Sequence, residues 1–229
     1  MPTQANREPR SGFPAWTSRL QSSYDAVADE YAAHIYDELR HKPFDREWLD
    51  RLAARVGGLG PICDLGCGPG QVARYLRDHG ATAFGLDLSE GMLAQARRLN
   101  PDLVFRQGDM LALPDPDAVW GGVAAFYSLI HIPRDRLPQV LAEIHRVLRP
   151  SGFLLAAVHC GQETVHRDEW WGRPVSVDFC FFEADELQQA VHAAGLEIDQ
   201  VTVREPYPDV EYPSRRAYLL AHKPSASGP

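Results

Sequence analysis

Three glycines at alternate positions, 66, 68 and 70, follow a short apolar run that begins at Ile62, and no other feature constrains the fold as strongly. The run closes on an acid, Asp64. Because glycine has no Cβ atom, the chain can turn sharply out of a strand here and its backbone can approach a ligand closely. A dinucleotide-binding turn would carry its third glycine at position 71, which Gln71 occupies. The segment therefore predicts a ligand-binding turn between a strand and a helix, and it disfavours a dinucleotide as the ligand.

Apolar periodicity predicts alternating helices and strands around this turn. The predicted strands are 61–65, 82–87, 103–107, a stretch within 117–126, 153–159, 196–204 and 215–222. The predicted helices are 18–39, a second from Pro43 to the Gly57-Gly58 pair, 70–79, 89–99, 133–148 and 183–194. This order predicts a mostly parallel sheet that is covered by helices on both faces. Residues 1–17 and 223–229 show no periodicity, and we expect them to be flexible.

Composition and charge exclude several classes of partner. The formal net charge of −8 argues against a nucleic-acid partner, which would call for a basic face. No stretch approaches about 18 uninterrupted apolar residues, so we expect no membrane span. The first residues lack the apolar core of a signal peptide, which makes the cytoplasm the expected location. The four cysteines form no CxxC pair and no zinc pattern, so we expect reduced, mostly buried thiols and no metal.

Four further segments stand where predicted strands or helices end. Asp87 closes the second strand, 21 residues past Gly66, where an acid can accept both hydroxyl groups of a ribose. The third strand runs into 107–110, which contains a Gly-Asp pair, and the fourth runs into 125–133. Residues 147–153 carry Pro and Gly between a helix and a strand. In a parallel sheet the carboxyl ends of the strands meet at one edge, so the first three segments can converge on one cleft.

Together with the glycine turn, these segments resemble the class I S-adenosylmethionine (SAM)-dependent methyltransferases over roughly residues 60–160. The resemblance implies a single domain over 1–229. Its fold would be Rossmann-like and doubly wound, with a seven-stranded, mostly parallel sheet, one antiparallel strand and an N-terminal helical lid at 18–58. It also implies SAM as the cofactor and S-adenosylhomocysteine (SAH) as the product. The residues it assigns to the cofactor are Tyr24, Tyr31, Asp64, Gly66, Gly68, Gly70, Asp87, Leu88, Met92, Gly108, Asp109, Met110 and Phe126.

Methyl transfer from a sulfonium is an in-line displacement, so the protein mainly has to align the acceptor and exclude water. A general base is required only when the acceptor is protonated at neutral pH. His131, just after the fourth strand, is the first candidate because imidazole titrates near pH 7. Tyr127, His159 and His166 are weaker candidates. His131 could equally pack in the core or contact the cofactor, and both alternatives stay open.

The acceptor pocket is expected to form between the lid and two loops, at 161–182 and 205–213. The two loops hold seven aromatic residues, which favours an apolar or planar small molecule as the partner. Packing of these rings over the sheet, without contact to a ligand, would also explain their presence. The predicted pocket residues are His166, Trp170, Trp171, Phe181, Tyr207 and Tyr212.

The leading hypothesis is thus a methyltransferase that acts on a small-molecule acceptor, as a monomer or a homodimer. The alternative is a SAM-binding protein of the same fold with a non-methylating role, as a cyclase or a regulatory subunit. A nicotinamide-dependent oxidoreductase is a third reading, which Gln71 and the downstream segments disfavour. The sequence leaves open whether the acceptor atom is O, N, C or S.

Overall fold

A computed structural model of the protein describes residues 15–225, which form six α-helices and nine strands. The helices are α1 (Ala15–Ile35), α2 (Pro43–Val56), α3 (Gln71–Asp78), α4 (Glu90–Leu99), α5 (Leu137–Val147) and α6 (Ala184–Ala193). The strands are β1 (Ile62–Leu65), β2 (Ala83–Asp87), β3 (Phe105–Gln107), β4 (Trp120–Phe126), β5 (Leu148–His159), β6 (Thr164–Trp170), β7 (Arg173–Cys180), β8 (Glu197–Arg204) and β9 (Arg216–His222). Short 3₁₀ turns lie at Glu38–His41, Leu129–His131 and Arg134–Arg136.

Seven strands form one sheet in the order β3-β2-β1-β4-β5-β9-β8. Strands β1 to β5 are parallel to one another, and β9 is antiparallel to both β5 and β8. The predicted fold class is therefore confirmed, including its one antiparallel strand. The order reverses between β1 and β4, and in such sheets the carboxyl ends of the strands leave a crevice at that point.

The sheet is buried on both faces because its central strands are almost entirely apolar. One face packs against α5 and α6, where Trp120, Val140 and Leu154 share a core. The other face packs against α2 and α3, where Trp48 and Leu220 share a second core. Both cores consist of buried side chains that pack the helices against the sheet.

Helix α1 lies outside these two layers and packs against α4 and β7. Asp25 of α1 accepts hydrogen bonds from Ser89 Oγ at 2.5 Å and from the Gly91 amide at 2.9 Å. These donors belong to the N-terminus of α4, where a carboxylate also complements the helix dipole. A Cβ atom on Gly91 would lie 2.9 Å from the Cα of Asp25, so the two helices touch backbone to backbone here.

The prediction of a loop at 161–182 is wrong, because most of this segment forms the antiparallel hairpin β6–β7. Trp171 and Gly172 join the two strands, and both have positive φ, at 50° and 73°. A two-residue turn with that geometry matches the twist of a hairpin, but tryptophan is not one of the residues that normally signal it. The 205–213 segment is a loop, as predicted.

Two further expectations need correction. Residues 15–17 belong to α1, and Lys223 exchanges backbone hydrogen bonds with Gly152 and Ser151, so both predicted flexible segments are too long. The remainder, 1–14 and 226–229, lies outside the described residues. The lid predicted at 18–58 is also too long, because α2 packs against the sheet as part of the second core. Within residues 15–225, no helix has the length and apolar character needed to cross a membrane.

Candidate active site

The turn after β1 brings its backbone against the ends of β2 and β4. The amides of Gly66 and Cys67 donate to the Leu86 carbonyl at 2.7 and 3.1 Å, which ties the turn to the end of β2. Gly66 has φ of 74°, and a Cβ atom there would lie 2.4 Å from the Cβ of Ser128. Glycine is therefore required at this position by conformation and by space together.

Asp87 stands at the end of β2 and borders a cavity above the glycine turn. Its two carboxylate oxygens accept hydrogen bonds from the Gly68 amide at 2.8 Å and the Ser89 amide at 2.9 Å. Burial raises the pKa of Asp87, and these two amide donors oppose the rise. The backbone thus holds the carboxylate in place while it faces the cavity.

Asp64 and Gly70 contact other parts of the protein in ways that the resemblance did not imply. Asp64 accepts a hydrogen bond from the Ala73 amide in the first turn of α3 at 3.0 Å, and burial raises its pKa to about 8. It also borders the cavity. Gly70 does not border the cavity, which corrects its predicted cofactor contact: a Cβ atom there would lie 2.7 Å from the ring of Phe105.

A single cavity of about 330 Å³ runs along the carboxyl ends of the central strands, under α1. The size is in the range of small-molecule sites. Its wall on the side of the glycine turn contains most of the predicted cofactor residues: Tyr31, Asp64, Gly66, Gly68, Asp87, Leu88, Met92, Gly108, Asp109, Met110 and Phe126. Asp109 sits in a tight turn, where its carboxylate accepts the Leu111 amide at 2.8 Å, and burial raises its pKa.

Two polar atoms of this wall have no hydrogen-bond partner among the residues that the structure describes. Ser128 Oγ and Gln71 Oε1 are buried and make no hydrogen bond to any described residue. The ring of Tyr31 lies 3.7 Å from the position of a Cβ on Gly68, so its hydroxyl group stands beside the glycine turn. Buried polar atoms normally have a hydrogen-bond partner, so the lack of one on the cavity wall points to a polar ligand. A nucleoside ligand with a charged amino-acid end fits this donor and acceptor set.

Tyr24 and His131 form a direct pair on the cavity wall. Tyr24 Oη lies 2.8 Å from His131 Nε2, and His131 Nδ1 lies 3.3 Å from the carbonyl oxygen of Asp178. A carbonyl can only accept, so Nδ1 carries the proton and Nε2 accepts the hydrogen bond of Tyr24. Burial lowers the pKa of His131 to about 4, so the ring is neutral at pH 7. Tyr24 was assigned to the cofactor by the resemblance, and here its hydroxyl contacts His131.

Tyr127 lies at the end of β4 with φ of 51°, a left-handed conformation that is uncommon for an aromatic residue. Its hydroxyl is 2.8 Å from that of Tyr218, which donates to Asp45 at 2.5 Å. Burial and the charge of Asp45 raise the pKa of Tyr127 well above its ordinary value. This geometry fixes the ring on the cavity floor and suits packing better than proton transfer.

The predicted pocket residues divide into two groups. Trp170, Phe181 and Tyr212 border the cavity, together with Phe179. His166, Trp171 and Tyr207 do not border it, which corrects their assignment. His166 is exposed and lies 2.7 Å from Asp178; Trp171 stacks on Trp170 and on His34; and the Tyr207 hydroxyl accepts the Phe44 amide at 3.2 Å. Side chains alternate between the two faces of β6, so His166 faces away from the cavity. Trp171 lies at the turn of the hairpin, and Tyr207 lies in the 205–213 loop.

Sequence reasoning missed a buried charge network at the other end of the cavity. Glu211 is its centre: it lies 2.7 Å from Arg204 and 3.2 Å from Arg216, and its side chain is 0% exposed. Although burial opposes ionisation, the hydrogen bond from Arg204 holds the pKa of Glu211 below its ordinary value. Lys42 borders the cavity beside this cluster and lies 2.5 Å from Glu38. These residues come from distant segments, and no local spacing marks them.

His159, at the end of β5, also borders the cavity. Its Nδ1 lies 2.7 Å from Ser214 Oγ, and its ring stacks on Phe181. Burial, with the charges of Arg216 and Lys42, lowers the pKa of His159 to about 3. The ring is therefore neutral and a weak base.

The fold is the one that the resemblance to class I SAM-dependent methyltransferases implied, and known proteins resemble the chain as follows. Residues 62–152 match a family described as a methyltransferase domain. The chain is 36% identical over 135 residues to the malonyl-[acyl-carrier protein] O-methyltransferase of Enterobacter lignolyticus, a match covering 56% of this chain and 51% of that protein. The chain spans about half the length of this curated relative.

Two solved structures share the fold over nearly the whole chain. DhpI, solved as a complex with SAH, has a TM-score of 0.70 and 25% identity, covering 93% of this chain and 98% of DhpI. The [4+2]-cyclase SpnF has a TM-score of 0.67 and 20% identity, covering 94% of this chain and 100% of SpnF, and at that identity it shows the fold alone. Residues 62–152 therefore resemble a methyltransferase domain, and the chain as a whole shares the fold of a protein that was solved with SAH bound.

Proposed function

We propose that the chain is an enzyme that transfers the methyl group of SAM to a small-molecule acceptor and releases SAH. The observation that carries the proposal is that one cavity joins two different walls. One wall holds the glycine turn with Asp87 and the unpartnered polar atoms, and the other holds the Tyr24–His131 pair and the aromatic residues. A cofactor and a second small molecule can therefore meet in one enclosed space.

The cofactor side has a residue for each chemical part of SAM. Asp87 would accept hydrogen bonds from the ribose hydroxyl groups and Asp109 would accept one from the adenine amine; Met110 borders the same cavity. Tyr31 and the backbone at Gly68 face the amino-acid end. When bound, SAM supplies a methyl group activated by its sulfonium sulfur. The chain itself supplies alignment and the exclusion of water.

The acceptor side is apolar and roofed by α1 and the hairpin β6–β7. Trp170 packs edge-on against Tyr24 and Phe179, with ring centroids 6.0 and 5.8 Å apart. Such rings suit a planar or apolar body on the acceptor. The Tyr24–His131 pair orients a polar group of the acceptor. The Asp178 carbonyl holds His131 Nδ1, and His131 Nε2 in turn holds the hydroxyl group of Tyr24.

Two measurements test the proposal in sequence. Calorimetry with SAM and SAH tests cofactor binding, and we expect binding that Asp87→Ala weakens. A metabolite-pool screen with methyl-labelled SAM then tests transfer, with labelled product and SAH formed in equal amounts as the expected result. SAM binding together with a converted metabolite but no SAH would instead support the non-methylating role, whereas no SAM binding would refute the proposal as a whole.

A further inference from the structure

Arg167 borders the acceptor side of the cavity; like Arg173 it is an exposed residue of the hairpin, and it makes no ion pair with any described residue. It lies in β6, where Val165 and Arg167 face the cavity and His166, between them, faces away. This follows the alternation of a strand. A register shift between Arg167 and Glu169 bends the strand at this place. Among residues 15–225, no carboxylate oxygen lies within 4.0 Å of the Arg167 guanidinium.

The other cations that border the cavity are compensated. Lys42 lies 2.5 Å from Glu38, and Arg216 lies 3.2 Å from Glu211. The remaining carboxylates on the cavity wall, Asp64, Asp87 and Asp109, belong to the side of the glycine turn. Among residues 15–225, Arg167 is therefore the one arginine or lysine on the cavity wall that has no carboxylate partner.

The imidazoles on the cavity wall offer little basicity to an acceptor. His131 Nε2 already accepts the hydrogen bond of Tyr24, at 2.8 Å. His159 is held by Ser214 and lies near the charges of Arg216 and Lys42, which oppose its protonation. A phenol or an ammonium must lose a proton in order to be methylated, whereas a carboxylate or a phosphonate need not.

We propose that the acceptor is an oxyanion, a carboxylate or a phosphonate on an apolar body, that Arg167 binds beside the aromatic wall. This inference rests on the proposed function. An oxygen of the anion forms the new O–CH₃ bond with its own lone pair, and the electron pair of the S–CH₃ bond remains on the sulfur. The anionic charge and the sulfonium charge cancel, the products are a methyl ester and SAH, and no proton has to be removed.

Binding of small probes tests the anion site without turnover. We would titrate the SAH-bound protein with phenylacetate, phenylphosphonate and the neutral phenylacetamide, and record saturation-transfer NMR and calorimetry. Arg167→Gln should weaken binding of an anionic probe at least tenfold and leave phenylacetamide unchanged, while Arg167→Lys should recover part of the loss. Arg173→Gln is the matched control, since Arg173 is an exposed arginine of the same hairpin that does not border the cavity. The stronger of the two anions identifies the carboxylate or the phosphonate as the source.

Equal binding of phenylacetate and phenylacetamide, or equal effects of Arg167→Gln and Arg173→Gln, would overturn the oxyanion site. In turnover, Arg167→Gln should raise KM about tenfold with a smaller change in kcat, and with a carboxylate acceptor kcat should be flat between about pH 6 and 9. Acceptors found only among phenols or amines, with a rate that rises with pH, would also overturn it. Failure of the unmodified protein to bind SAH refutes the proposed function, whereas SAH binding without Arg167-dependent anion binding refutes the oxyanion site alone.

Discussion

Replacing Gly91 with alanine should stabilise α4 and at the same time loosen α1. Gly91 lies in the first turn of α4, where its missing side chain leaves room for the backbone of Asp25. A Cβ atom would stand 2.9 Å from Asp25 Cα and 3.2 Å from Ala28 Cβ. Backbone atoms cannot rotate out of the way, so α1 has to move away from α4.

The two effects have opposite signs and similar size. Glycine is less favourable than alanine in a helix by about 1 kcal/mol, so the sheet with α4 should gain that amount. Overpacking costs about 1–3 kcal/mol if α1 stays docked. Displacement of α1 also strains the hydrogen bonds that Asp25 accepts from Ser89 and Gly91, each worth about 1 kcal/mol at a partly exposed site. The free energy that holds α1 closed should therefore fall by about 1–2 kcal/mol.

Hydrogen exchange measured by mass spectrometry separates the two effects. Peptides from residues 15–35 should exchange about 5–30 times faster in Gly91→Ala, while Tm stays level or rises by a few degrees. Ala94→Gly is the control, because it lowers helix propensity at an exposed position of α4 that is away from this contact. It should lower Tm without changing hydrogen exchange in α1. Unchanged exchange in residues 15–35 of Gly91→Ala would show that the contact between the helices does not hold α1 in place.

Three further predictions concern single residues. Asp87→Ala should weaken SAH binding by about 1.5–3 kcal/mol because charged hydrogen bonds are lost, and equal affinities by calorimetry would contradict the assignment. Glu211→Ala should lower the free energy of unfolding in urea by about 3–5 kcal/mol, since it leaves the buried Arg216 without its carboxylate and Arg204 with Asp45 alone; a loss below 1 kcal/mol would contradict the network's importance. The low pKa of His131, about 4, means that the unfolded chain binds more protons between pH 4 and 6.5, so stability should fall as the pH drops through this window. In His131→Gln the free energy of unfolding should fall by about 1–3 kcal/mol less across this pH window. If it depends on pH identically in both proteins, the lowered pKa of His131 is contradicted.

The parallel half of the sheet could be predicted closely from the sequence, for a physical reason. Its strands are buried on both faces, so continuous apolar runs between glycine and proline signals mark them, and 82–87 differs from the observed β2 by one residue. Strand β5 was predicted too short, because its first residue, Leu148, pairs with Trp120 before an irregularity at the Pro150–Gly152 turn. The hairpin β6–β7 was missed because its strands are largely exposed and carry charges.

The candidate site shows the same division. The cofactor side depends on residues at the ends of buried parallel strands, so the spacing from Gly66 predicts Asp87, whereas the resemblance to the methyltransferases supplies Asp109. The acceptor side depends on which face of a hairpin each residue occupies. Taking 161–182 as a loop led to the choice of His166, whereas alternation along β6 places Arg167 on the cavity. A strand assignment for Val165 and its neighbours would have supplied that signal.

Three consecutive residues of α1 connect both sides of the cavity. Ser23 Oγ accepts the Ser176 amide of β7 at 2.8 Å, Tyr24 bonds to His131, and Asp25 caps α4 beside the carboxylate of Asp87. Because one rigid helical turn carries all three contacts, α1 cannot leave the hairpin without releasing His131 and the N-terminus of α4 as well. We therefore expect that opening for an acceptor and opening for a cofactor are one motion, and that a ligand which holds α1 closed from one side also orders the other side.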